Sequence, residues 1–286
     1  MKQSLKLIPL IPFPVLGIEK NNEKVLVAGD FHIGWEIALA QQGIHIPSQT
    51  SKLIEKMIEV IESYKPTSII LIGDIKHTVG RIELEEWKDI PEFFEKISSL
   101  VKDIKVIIGN HDGNLEPLTP NNVKIFSSKG LILWNEVGLI HGNAWPKPEM
   151  LGCDLIIMGH LHPVVVFLDR TGFRITKQVW VKVKINGEKL AKALLEYLKI
   201  KTNEVCKFYK EKFNLELKNP ELIIMPSFNE FLGGQPLNQK SFVHEEKEEY
   251  IGPILRSNAI EMSKAELYLL DGTFLGELKY FMEALR

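Results

Sequence analysis

The 286-residue chain has only two cysteines, Cys153 and Cys206, far apart and outside any C-x-x-C spacing. That fits a reducing compartment better than a disulfide framework, so a cytoplasmic location is expected. No apolar run approaches the roughly 20 residues that a membrane-spanning helix needs. The apolar stretch from Leu7 to Ile18 follows Lys2 and Lys6, but Pro9, Pro12 and Pro14 interrupt it and no small-residue cleavage site follows. It reads as a leading strand or arm, and a signal peptide is not expected. Charge of one sign is also missing. With a formal net charge of −2, affinity for a polyanion must come from a local patch or from bound metal. There is no internal repeat or low-complexity tract, and no linker that demands a second domain.

Short strands rich in Val, Ile and Leu are present instead. They are expected at Lys24 to Ala28, Ser68 to Ile72, Ile104 to Ile108, Val137 to Ile140 and Asp154 to Met158. After Pro47 and Ser48, the apolar residues Leu53, Ile54, Met57, Ile58 and Ile61 repeat at helical spacing until Lys65-Pro66. A second helix is predicted over Trp87 to Val101, with Pro91 in its first turn. Val179, Val181, Val183 and Ile185 alternate with Lys182 and Lys184, the pattern of a half-exposed strand. A helical segment over Glu188 to Phe213 breaks near Thr202-Asn203. Asp271-Gly272 joins Leu267 to Leu270 with Phe274 to Leu278 as a hairpin. Leu131, Leu133 and Trp134 precede a tight turn expected at Asn135-Glu136 and read as hairpin core.

Each of the five buried strands runs into a glycine beside a potential metal ligand. The stretches are Gly29-Asp30-Phe31-His32, Gly73-Asp74-Ile75-Lys76-His77, Gly109-Asn110-His111-Asp112, His141-Gly142 and Gly159-His160-Leu161-His162, and they hold six of the eight histidines. Carboxyl ends of strands are where open α/β sheets place ligands. Glycine permits a sharp exit from the sheet, while Asp, Asn and His supply oxygen and imidazole donors. If His160 and His162 stay extended they point to opposite sides and can serve two ions, with Asp74 bridging. Two ions about 3.5–4 Å apart acidify a shared water and clamp an in-line displacement at phosphorus. His111 is the candidate general acid for the leaving oxygen, and Asp112 is available to orient it or hold it protonated. His45 and His244 have no motif around them and are read as bystanders. Trp35 and Glu36 lie close behind the first motif, but Trp35 reads as core. Lys76, Arg81 and Lys147 read as solvated surface. The nine lysines and four glutamates from Lys182 to Lys212 read as a solvated helix face, in preference to a track for a nucleic-acid backbone.

In this order D-x-H, G-D-x-x-H, G-N-H-D, H-G and G-H-x-H resemble the calcineurin-like metallophosphoesterase superfamily. The resemblance implies a four-layer αββα sandwich, two mixed β-sheets flanked by helices, of α/β (α+β) class. It implies a single domain over 1–286, in which the helical segment at about 187–217 reads as an insertion. It assigns one metal to Asp30, His32, Asp74 and His162, and the other to Asp74, Asn110, His141 and His160. Manganese is the first choice of divalent ion, with iron, zinc or nickel as alternatives. His77, where many members have Asp, resembles the SbcD-type repair nucleases, in which that residue approaches the scissile phosphate; Asn110 and His77 are thus implied substrate contacts. The Gly73 and Gly159 motifs, with Pro226-Ser227-Phe228 and Gly233-Gly234, are similar to a branch of small standalone phosphoesterases that includes the ligase-associated endonuclease PdeM. The expected activity is therefore hydrolysis of DNA or RNA by attack of a metal-bridging hydroxide, with nucleic acid and a DNA-repair protein as partners. The alternatives are a phosphatase or cyclic phosphodiesterase on a small nucleotide, and a non-catalytic metal-binding scaffold.

Overall fold

The computed structural model describes residues 4–239 and 251–283. The chain divides into two compact units, Met1–Ser127 with Ser227–Leu232, and Ser128–Pro226 with Gly233–Arg286. Each contains one mixed β-sheet, its own helices and its own apolar core. Two mixed sheets accompanied by helices is the fold class expected from the sequence.

In the first unit, β1 (Lys6–Pro9), β2 (Leu16–Lys20) and β3 (Glu23–Ala28) pair antiparallel. From β3 the sheet continues in parallel through β4 (Ser68–Ile72), β5 (Asp103–Ile107) and β6 (Val123–Phe126). Parallel strands are covered on both faces, which is why Ser68-Ile-Ile-Leu-Ile72 has no polar alternation and is wholly buried. The helices are α1 (Trp35–Gln41), α2 (Thr50–Tyr64) and α3 (Leu84–Leu100). Met57, Val60 and Ile61 of α2 and Phe93, Phe94 and Ile97 of α3 share the core with Leu26, Ile69, Leu71, Ile104 and Val106 of the sheet.

The start of α3 differs from expectation. The helix begins at Leu84, so Pro91 lies in its interior instead of its first turn. Glu86 sets this boundary by accepting the backbone N–H of Glu83 at 3.1 Å, the reciprocal half of a capping box. Pro91 leaves the Trp87 carbonyl without its usual intrahelical donor, and Trp87 is exposed, where water can replace it.

The second unit runs through β7 (Leu131–Leu133), β8 (Val137–Ile140), β9 (Leu155–Met158), β10 (Pro163–Leu168) and β11 (Arg174–Lys184). After α4 (Gly187–Tyr197) and α5 (Val205–Phe213) come β12 (Glu221–Ile224), β13 (Gln235–Pro236), α6 (Pro253–Arg256), β14 (Glu266–Leu269), β15 (Phe274–Glu277) and α7 (Leu278–Glu283). The sheet order is β13-β10-β11-β12-β9-β8-β7, and β14 adds to β11 and pairs with β15. Asn186 caps α4 by accepting the Lys189 N–H at 2.9 Å. Leu190, Leu194 and Leu195 of α4 and Val205 and Tyr209 of α5 then enter the core. The β7–β8 turn is centred on Trp134 and Asn135, with φ of 50° and 57°, one residue earlier than expected. The turn is closed by the Glu136 N–H on the Leu133 carbonyl at 3.0 Å, and three residues separate the paired Leu133 and Val137. Leu131, Leu133 and Trp134 are half-buried there. No helix among the described residues is long and apolar enough to cross a membrane.

Candidate active site

In the first unit the ligand-bearing loops leave neighbouring strands on one sheet edge. Gly29-Asp30-Phe31-His32 follows β3, Gly73-Asp74 follows β4, and Gly109-Asn110-His111-Asp112 follows β5 by one residue. The first two loops are bound together by their backbones. Asp30 N–H donates to Gly73 O at 3.0 Å, His32 N–H to Asp74 O at 2.9 Å, and Ile33 N–H to Ile75 O at 2.8 Å. Asp30, His32 and Asp74 have left-handed backbone, with φ of 58°, 46° and 50°. Non-glycine residues adopt that conformation at a cost, and it persists where surrounding bonds over-determine it. A Cβ at Gly109 would fall 2.1 Å from Asp74 Oδ1 and 2.6 Å from Asp74 N, so only glycine lets the third loop approach the second.

Asp30 and Asp74 are buried at 0% and 2% exposure. A buried carboxylate is costly unless paired, hydrogen-bonded or bound to a cation. Asp74 Oδ1 accepts the His111 backbone N–H at 2.9 Å, and Oδ2 lies 3.4 Å from His32 Nε2. Asn110 is exposed beside them. Buried carboxylate and imidazole with no thiolate is a donor set that fits a divalent ion.

His32, His77 and His111 lie together, each offering a ring nitrogen within 4.8 Å of the others. The Nδ1 atoms of His77 and His32 are 3.3 Å apart. His111 Nδ1 is hydrogen-bonded to the carbonyl oxygen of His77, which makes it the donor and leaves Nε2 as the nitrogen that can carry a transferable proton. Burial first, and then the charge of His111, push His77 below the ordinary imidazole range, while Glu86 and Asp74 oppose the shift. The Asp112 carboxylate accepts backbone N–H groups of Ile75 at 2.8 Å, Lys76 at 3.3 Å and Gly109 at 2.8 Å. It ties the loop after β5 to the loop after β4.

Several neighbours differ from the sequence reading. Lys76 was expected on the surface and is fully buried, with its ammonium on the Thr78 carbonyl. Burial pushes it below the ordinary lysine range, against the pull of Glu86, Asp112 and Asp74. Glu36 turns to the Gln49 N–H, and burial raises its carboxyl. Arg81 and His45 are exposed, Lys147 is half-buried, and His244 lies outside the described residues. Two residues were missed. Glu86 accepts from His77 N at 3.2 Å, Thr78 N at 2.9 Å and the Thr78 hydroxyl, and so holds the His77 loop. Its signal was the Glu83-x-x-Glu86 capping spacing. Asn229, fully buried, donates from Nδ2 to Phe31 O at 2.9 Å, and its N–H reaches Asp30 O at 3.3 Å.

In the second unit β8 and β9 are parallel and in register, with Ile140 opposite Met158, so His141 and Gly159-His160 leave the same edge side by side. Gly159 N–H donates to His141 O at 3.0 Å, and the rings of His141 and His160 have centroids 4.8 Å apart. His160 and His162 have φ of 68° and 47°. The extended alternation considered from sequence therefore does not apply, because both residues have left the strand conformation. The His162 carbonyl accepts Gln235 N–H at 2.9 Å, which fixes the start of β10.

With fold and ligand loops in place, comparison adds the class. Residues 23–164 match the calcineurin-like phosphoesterase family, and the chain carries that domain. That family hydrolyses phosphoric esters and binds divalent metals, and the His and Asp clusters of this chain could bind such ions. Comparison with curated proteins finds no match. Among solved structures, the nuclease MPE of Pseudomonas putida is 16% identical with a TM-score of 0.50, over 94% of this chain and 98% of that one. That likeness is one of fold. Yfce, a phosphoesterase from E. coli, is 18% identical with a TM-score of 0.32, over 51% of this chain and 73% of that one.

Proposed function

We propose that the chain is a dinuclear metal-dependent phosphodiesterase acting on DNA or RNA, with His111 as general acid. The observation that carries the reading is the setting of His111. Its backbone N–H is held by Asp74 and its Nδ1 by the His77 carbonyl, so Nε2 alone remains for proton transfer. The ligands are those the family resemblance implies: Asp30, His32, Asp74 and His162 for one ion, and Asp74, Asn110, His141 and His160 for the other. Two divalent ions, manganese first, supply Lewis-acid polarisation of the phosphoryl group and an acidified water when bound. Asn110 and His77 orient the phosphoryl oxygens, and Asp112 fixes the loop that presents His111. His111 Nε2 then gives its proton to the departing oxygen. Cys153 and Cys206 are both free thiols, which supports a reducing, cytoplasmic setting.

The test is hydrolysis by metal-stripped protein refilled with Mn²⁺, comparing bis-p-nitrophenyl phosphate, p-nitrophenyl phosphate, and single- and double-stranded DNA and RNA. Cleavage of the diester and of a nucleic acid, lost in His111→Ala, is the expected result. Activity on monoesters alone would make the chain a small-molecule phosphatase. Two bound ions with no activity on any substrate would return it to the scaffold reading.

A further inference from the structure

Beside the Asp30–His32 loop, the first unit carries aromatic rings and ammonium groups that the hydrolysis leaves unused. Trp35 opens α1, its N–H donating to the His32 carbonyl at 3.1 Å. Its indole stacks on Phe231, with centroids 5.8 Å apart and planes within 10°. Phe231 sits in the short 3-10 turn Glu230–Leu232, and its N–H is held by Asn229 Oδ1 at 3.0 Å. Asn229 also bonds the Phe31 carbonyl, so the stack is anchored at both ends to the segment that presents Asp30 and His32. One lysine of α2, Lys52, borders it, whereas Lys56 lies over Phe228. Lys52 Nζ lies 5.7 Å from the Phe231 ring, and Lys56 Nζ lies 5.0 Å from the Phe228 ring and 3.3 Å from the Phe228 carbonyl. Phe231 remains 44% exposed.

A single exposed phenylalanine is ordinary on a protein surface. A parallel aromatic pair bordered by an ammonium and hydrogen-bonded to a candidate ligand loop matches the two parts of a nucleotide, a π-faced base and an anionic phosphate. We propose that Trp35, Phe231 and Lys52 form a nucleotide subsite. The base next to the scissile phosphate stacks on Phe231, and the Lys52 ammonium swings from the ring to the flanking phosphate. Every base offers a π face, so the subsite tolerates any sequence but demands a base-bearing strand. This rests on the nucleic-acid reading above and narrows it.

The experiment compares wild type with Phe231→Ala, Phe231→Leu and Lys52→Gln in Mn²⁺. The substrates are methyl p-nitrophenyl phosphate, a thymidine oligonucleotide, and the same oligonucleotide with abasic tetrahydrofuran units. Wild type is expected to cleave the base-bearing strand with about tenfold higher kcat/KM than the abasic one. Both Phe231 variants should erase that preference and leave the methyl ester rate unchanged. Lys52→Gln should slow both strands alike and flatten their salt dependence. Absence of a base preference in wild type, or equal losses on the methyl ester and the strand in the Phe231 variants, would overturn the subsite. Turnover of the methyl ester with no cleavage of any strand would overturn the nucleic-acid reading and the subsite with it.

Discussion

At the scale of single residues, His111 and Asp74 are joined, because the backbone N–H of one is held by the carboxylate of the other. Replacing His111 with Ala removes the ring and leaves that bond. Metal stoichiometry should stay unchanged while hydrolysis of an unactivated diester falls about 10²–10⁴-fold and that of a p-nitrophenyl ester falls far less. Equal losses on both esters would rule out general-acid catalysis. Asp74→Ala removes the bond and the implied bridge together. Elemental analysis should find both ions depleted, whereas His32→Ala should weaken one; two ions retained in the Asp74 variant would rule out bridging. Cys153 gives a pH-dependent reading. It is buried, and burial pushes its thiol up to about 11. A raised folded value favours the neutral thiol, so the associated stability is complete below the unfolded value near 9 and is lost as pH rises through the folded one. At pH 8 native protein should take up one equivalent of iodoacetamide, at exposed Cys206, and denatured protein two, as read by mass spectrometry.

At the scale of elements, the N-terminus of α3 bears on catalysis through Glu86, which receives Glu83, His77 and Thr78 donors while His77 in turn receives His111. Glu86→Ala leaves half-buried donors unmatched, each costing at most about 1–3 kcal/mol. Urea denaturation should show lower stability with an unchanged slope, and kcat should fall at unchanged metal content; Glu86→Gln, which keeps one acceptor, should recover part of both. Wild-type kcat in Glu86→Ala would remove the helix from the mechanism. The five stretches of candidate ligands could be read from the sequence because each is local, an apolar strand followed by glycine and a donor. Glu86 was not legible as a site residue, since it binds the His77 loop from nine residues away through backbone groups that any residue possesses. Asn229 is 198 positions from its partner Phe31, and no periodicity reports such a bond. The beginning of α3 was misplaced because Pro91 is a familiar first-turn residue, whereas the Glu83–Glu86 pair had already started the helix.

At the scale of the whole molecule, each unit has its own core, and Asp30 and Asp74 are buried carboxylates whose desolvation a bound cation would offset. Ions that bind only the folded chain stabilise it by mass action, about 2.7 kcal/mol at a hundred times Kd. Chelation should therefore lower the thermal midpoint and Mn²⁺ should restore it, as measured by calorimetry; an unchanged midpoint would mean that the buried carboxylates bind no ion. In the first unit, Asp30, His32 and Asp74 all have φ between 46° and 58°. Their loops therefore resemble the arms of a rigid macrocycle more than those of a floppy chelator. The freedom that a flexible arm surrenders on capturing an ion has been surrendered at folding. An ion held there as proposed would meet arms that do not rearrange, so its discrimination by ionic radius would be written in backbone angles as much as in donor atoms.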